Sequence, residues 1–349
     1  VKRWPAVVVA GLVVVLVAGG VLWWRSSQQT DLQRAVALAP EGSQRLTWTD
    51  WAGVRRELGA GGLSGSSGTG ELATFLDDAY DADLSPMSSL VESAETMQAE
   101  YGFSPATLEW ELFTQSPDGA AVLMKLPEDA DTDALADGLE ELGYTPPDEE
   151  GGTWRGGADL LPAIGTLTPE LQYLALDADQ GVVVASDTGD YAERAMESVT
   201  GEADAVSGLD EVVEAVGTPL AAAVYDADVA CSSLSMGNAG PADQDQADQL
   251  VEAAGEVNPL TGFAMGLLPD RDVRVAMSLE TEDQARADAD SRAALAAGPA
   301  PGQGGEFGDR FRLGRVAAEG EVVTMELDPV EGSYVLSDLT SGPVLFATC

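Results

Sequence analysis

The chain has 349 residues, 60 of them acidic against 17 basic, no histidine, and a formal net charge of -43. Setting aside Lys2, Arg3 and Arg25 at its start leaves -46 on the rest, which excludes nucleic acid and anionic lipid headgroups as partners, since both bind clustered Lys and Arg through counterion release. The missing histidine excludes Ser-His-Asp and Cys-His catalysis, His-ligated zinc and the usual general base near neutral pH.

The first element is an unbroken apolar run, residues 6–24, which as a helix spans about 28 Å, close to the thickness of a bilayer core. Lys2 and Arg3 precede it, so residues 1–5 are expected in the cytoplasm, with Trp23 and Trp24 at the far interface. Small residues at Ala18-Gly19-Gly20 would suit a signal peptidase. The length of the run and its continuation to Trp24 favour a retained single-pass anchor, with the lipid bilayer as its partner. Residues 25–44 read as a tether holding a short helix.

A first extracytoplasmic lobe is expected over 45–200, a connection over 201–217 and a second lobe over 218–349. RLTWTDW (45–51) alternates Leu46, Trp48 and Asp50 against Thr47, Thr49 and Trp51, the period of a strand. The Gly/Ser-rich stretch 59–70 is a loop by composition. Its Gly68-Thr69-Gly70 followed by Ala73 imitates a dinucleotide fingerprint, but no strand precedes it. Helical spacing follows over 71–84 and 86–100, the second segment with Ser85 as its cap and Pro86 at its first position.

A repeated pattern comes next. LEWELFTQ-SPDG-AAVLMKL (108–126) and LTGFAMGL-LPDR-DVRVAMSL (260–279) each read as strand, tight turn, strand, and an acidic-start helix follows each. Upstream of each lies a strand with an acidic end, LTWTD (46–50) and AAVYD (222–226), then a helix, 86–100 or 242–255. Downstream come further hairpins, at 171–187 and 311–328. The pattern predicts an α+β fold of two similar lobes, built by duplication from antiparallel hairpins with helices packed on one face of each sheet. The sequence leaves open whether the sheets merge. The last stretch, SYVLSDL and PVLFATC, is expected to add a closing strand.

Two cysteines in an exported chain predict a Cys231–Cys349 disulfide, whose closed loop of more than 100 residues would contribute about 4 to 5 kcal/mol in the chain-entropy model. Asp129, Asp131, Asp133, Asp137 and Glu140 fall at positions 1, 3, 5, 9 and 12 of a calcium-loop spacing, although Ala134 stands where the sharp turn requires Gly. Capping of the helix that starts there accounts for the same acids. Calcium is therefore the one candidate ligand, with no other cofactor and no catalytic residue singled out. Lys125, the only lysine after Lys2, lacks an S-x-x-K partner.

The organisation resembles a group of uncharacterised actinobacterial exported proteins. It is carried by the basic start, the single anchor, Ala37 to Pro40 leading into a strand that ends at Asp50, and the doubled hairpin-helix units. The resemblance implies localisation and architecture. With no catalytic motif present, the reading is a non-enzymatic binding or scaffolding module whose partner is an envelope protein or polymer. The alternative is a carboxylate-dependent hydrolase acting on cell-surface polymer, which would need two carboxylates facing each other across a cleft.

Overall fold

A computed structural model describes residues 29–149 and 151–349; the expected anchor, 6–24, lies outside them. No described helix is long and apolar enough to cross a membrane. Eleven strands form one antiparallel sheet: β1 Arg45–Thr49, β2 Trp110–Ser116, β3 Gly119–Lys125, β4 Trp154–Arg155, β5 Tyr173–Asp177, β6 Val182–Ser186, β7 Ala221–Asp226, β8 Gly262–Leu267, β9 Val273–Ser278, β10 Phe311–Glu319 and β11 Val322–Pro329. Their spatial order is β10-β11-β9-β8-β7-β1-β2-β3-β6-β5-β4.

The four hairpins read from the sequence are the strand pairs β2/β3, β5/β6, β8/β9 and β10/β11, and the short β4 pairs with β5 besides. Outward from the middle, β1-β2-β3-β6-β5 mirrors β7-β8-β9-β11-β10, so the two sheets merge, joined by β1 and β7. That pairing is centred on Thr47 opposite Ala223, with Arg45 facing Tyr225 and Thr49 facing Ala221. It extends reciprocally at both ends, where Asp50 N donates to Leu220 O (2.8 Å) and Asp226 N to Gln44 O (2.9 Å). The outer edges are blunted: β4 has two residues, and β10 carries a register shift between Leu313 and Val316.

The helices cover both faces, not the single face expected. Leu46, Trp48, Leu112, Leu123, Val184 and Val224 form one core with helices Asp31–Val36, Gly189–Thr200 and Asp210–Val216. Met124, Val183, Met265, Val275 and Met325 form the other, with helices Trp51–Glu57, Thr69–Asp81, Pro241–Ala254, Glu282–Ala296 and Val335–Ser341. Strand alternation explains this: Ala and Val dominate both sides of the central strands, and each side demands cover.

Four local expectations change. From Asp31 the tether is built into the body as a helix with a Thr30/Gln33 capping box and buried Leu32, Ala35 and Val36. In the connection, 210–216 is a helix with buried Val212, Val213 and Val216. The helix expected from Pro86 starts only at Val91–Ser93, because Ser88 and Ser89 give their hydroxyl and backbone N–H to Glu111 (both 2.8 Å), which holds 85–90 as a loop. The closing strand is instead the helix Val335–Ser341, whose free N–H of Leu336 donates to Asp83 Oδ2 (2.8 Å), followed by a 3₁₀ turn Leu345–Ala347.

Cys231 and Cys349 are bonded, their Cα atoms 5.6 Å apart and 118 positions distant in sequence. The bond places this chain with proteins of oxidising, extracytoplasmic compartments. Beside it, fully buried Arg292 pairs with fully buried Asp288 (2.8 Å) and donates to Phe346 O (2.7 Å) and Thr348 O (3.0 Å), while Asp288 also accepts from Asn258 N (3.0 Å) and Nδ2 (2.8 Å). Truncating Arg292 would strand a buried carboxylate and three carbonyls, those of Phe346, Thr348 and Asn258. Urea unfolding of Arg292→Ala should show a loss of about 3 to 5 kcal/mol, with the disulfide still formed.

Candidate functional site

Where β1 and β3 end and β2 begins, the sheet opens into a cleft of about 870 Å³. One wall comes from the helix Asp31–Val36 and its flanks, with Gln29, Asp31, Arg34 and Leu38. The opposite wall is the segment after β3, with Lys125, Glu128 and Asp129. The strand ends supply Asp50, Glu109 and Trp110, and Arg56 closes one side. Trp110 is almost wholly buried, its ring 5.5 Å from that of Trp48 beneath it.

The charges are mixed and mostly engaged. Arg34 pairs with Asp31, Lys125 Nζ donates to Gln180 O, and Arg56 approaches Asp50 at 3.8 Å. Asp50 caps the helix Trp51–Glu57 by accepting from Gly53 N (2.7 Å). Burial raises its carboxyl above the ordinary range, against that hydrogen bond and the nearby Arg56. At the equivalent place in the second half, Asp226 does the same work, accepting from Val229 N (2.8 Å). The acidic strand ends visible in both repeats are therefore helix caps. Asp50 is thus tied to Gly53 and Arg56, and the cleft offers a ligand an indole floor between groups of both signs.

The five residues of the calcium spacing are not brought together. All are exposed, Asp129 lines the cleft, and Asp131 caps the helix Thr132–Leu142 through Ala134 N (3.0 Å). Among the described residues no group of three or more Asp, Glu, Cys or His is placed to hold a metal ion. The residues that build the cleft come from segments up to about 150 positions apart and share no spacing. Asp50, Lys125 and Asp129, each singled out in the sequence for another reason, line it, but nothing in the sequence joined them.

Close to the cleft lies a carboxylate of another kind. Glu111, wholly buried on β2, accepts from Trp51 Nε1 (2.8 Å) besides Ser88 and Ser89. Burial pushes its carboxyl up to about 7, those three donors notwithstanding.

No protein-family model matches the chain, and no curated protein matches it. Among solved structures, crystal forms I, III and IV of TP0453 align with 88–91% of this chain and 96–99% of theirs, at 8–10% identity and TM-scores of 0.38, 0.39 and 0.41.

Two outcomes follow from these carboxylates. Since the folded state holds the Glu111 proton more tightly than the unfolded chain, its contribution is complete below about pH 4.5 and is lost as pH rises through about 7, a decline of about 3 kcal/mol. Glu111→Gln removes that titration, so the wild type should lose about this much stability relative to the variant between about pH 5 and pH 8; parallel curves would show an ordinary carboxyl. With Asp131 used as a cap, the melting temperature should be the same in millimolar calcium and in EDTA, and a rise with calcium would restore the metal reading.

Proposed function

We propose that the chain is a non-enzymatic binding module of the cell envelope, held at the membrane by residues 6–24 with its N-terminus in the cytoplasm, and that the cleft is where its partner docks. The observation that carries this is the position of the cleft wall: it begins at Gln29, five residues after Trp24, so an anchored chain keeps that edge of the cleft within about 18 Å of the bilayer surface. The Cys231–Cys349 bond supports the compartment. The strand order, repeated on either side of β1/β7, supports an origin by duplication, and the organisation resembling actinobacterial exported proteins supports the same topology.

Mixed charge around a buried indole suits a polar protein or polymer segment, with orientation set by the pattern of Arg34, Arg56, Glu109 and Glu128. The test is in-cell crosslinking of the tagged full-length chain, with mass spectrometry against an anchor-only control. One dominant partner, lost from Arg34→Glu/Arg56→Glu, is the expected result. Equal recovery with the double variant would move docking away from the cleft, and no enriched partner would sink the binding-module reading.

A further inference from the structure

At the other end of the central seam, away from the cleft, Arg45 on β1 and Tyr225 on β7 stand opposite each other and line a recess of about 340 Å³. Gln44, Gln115, Ser116 and Thr340 also line it, and no Asp or Glu does, in a chain with 60 of them. Tyr225 is 3% exposed, and its hydroxyl has no hydrogen-bond partner among the described residues. Buried hydroxyls are ordinarily satisfied, so an orphan at a recess marks a group without its partner. The guanidinium of Arg45 sits 6.0 Å from the centre of the Tyr225 ring, is exposed, and makes no ion pair among the described residues. Nearly every other arginine of the described body is paired with a carboxylate or with backbone carbonyls.

The fold does not require this arrangement. The near two-fold symmetry of β1 and β7 sets Ala221 in the place of Arg45 and Thr49 in the place of Tyr225, and there both residues are fully buried; the Thr49 hydroxyl also lacks a partner among the described residues, so what sets the Tyr225 end apart is the recess and the unpaired Arg45. The recess exists in one half only. The adjacent carboxylate, Asp226, is occupied by Val229 N (2.8 Å). One wall, through Val229 and Ser233, belongs to the turn that carries Cys231, so the disulfide fixes it in place. Burial also pushes the Tyr225 phenol up, which keeps it a donor.

We propose that this recess is a binding site for a small oxyanion, the carboxylate or phosphate group of a solute, with Arg45 as the charge partner and the Tyr225 hydroxyl and the Gln115 amide as neutral donors; the Ser116 and Thr340 hydroxyls, which donate to the carbonyls of Gly119, Leu336 and Ser337, form its polar rim. Guanidinium is the side chain best matched to such groups. The surrounding negative charge does not forbid it, because at physiological ionic strength exposed charges beyond about 8 Å are largely screened. The site stands independently of docking at the cleft.

Inorganic phosphate and succinate are the probes, titrated separately into the full-length chain in nonionic micelles and followed by calorimetry. Saturable one-to-one binding of one or both is expected, which distinguishes a phosphate from a carboxylate ligand, and Arg45→Gln and Tyr225→Phe should each weaken it at least tenfold. Arg45→Lys should restore part of the loss. Tyr225→Phe deletes only an unpaired hydroxyl, so its melting temperature without ligand should equal or exceed that of the wild type. Absence of saturable binding for both probes, or binding indifferent to both substitutions, overturns the proposal.

Discussion

The structure depends on the pairing of β1 with β7. Each is the first strand of its half, and each pairs on its other side with the first hairpin of that half. Five-strand sheets, with a sixth short strand on one side, thereby become a single sheet of eleven strands. The seam leaves no free edge at the middle of the molecule, and it obliges the central strands to be apolar on both faces. Ala221, Ala222, Ala223 and Val224 satisfy that demand with small side chains, which lets helices approach closely from either side.

Around this seam, buried polar groups join segments that the hairpins alone would leave separate. Glu111 holds the loop 88–90 against the sheet, Asp83 receives the start of the helix Val335–Ser341 from the other half, and Asp288 with Arg292 grips the C-terminal residues. Each satisfies backbone groups that helix ends and loops would otherwise bury unpaired. The position of each is thus fixed by its partners and not only by packing. An apolar replacement would fill the volume and leave the partners unsatisfied.

The hairpins were legible because each is local: two apolar runs about a tight turn, with Pro-Asp in that turn and an acidic-start helix after it in two of the four. The disulfide was legible from an even cysteine count in an exported chain. The second covered face was not legible, since VVVAS-type strands read alike whether one side or both are buried, and although a short helix was expected in the tether, its six residues do not show that it packs on the sheet. The late start of the helix near Val91 depends on Glu111, some twenty residues further on, and the helix Val335–Ser341 on Asp83, some 250 residues back. Such long-range caps leave no periodic trace. The cleft was illegible for the same reason: Arg34, Asp50, Glu109 and Lys125 meet only because four chain segments end at one corner of the sheet.

The position of β1 also sets how the body answers a mechanical pull. Tension applied at residue 29 passes through the helix Asp31–Val36 into the N-terminal end of a strand flanked on both sides by antiparallel neighbours. To yield, β1 must slide against β2 and β7 together, shearing two ladders at once. An edge strand would instead peel away one hydrogen bond at a time.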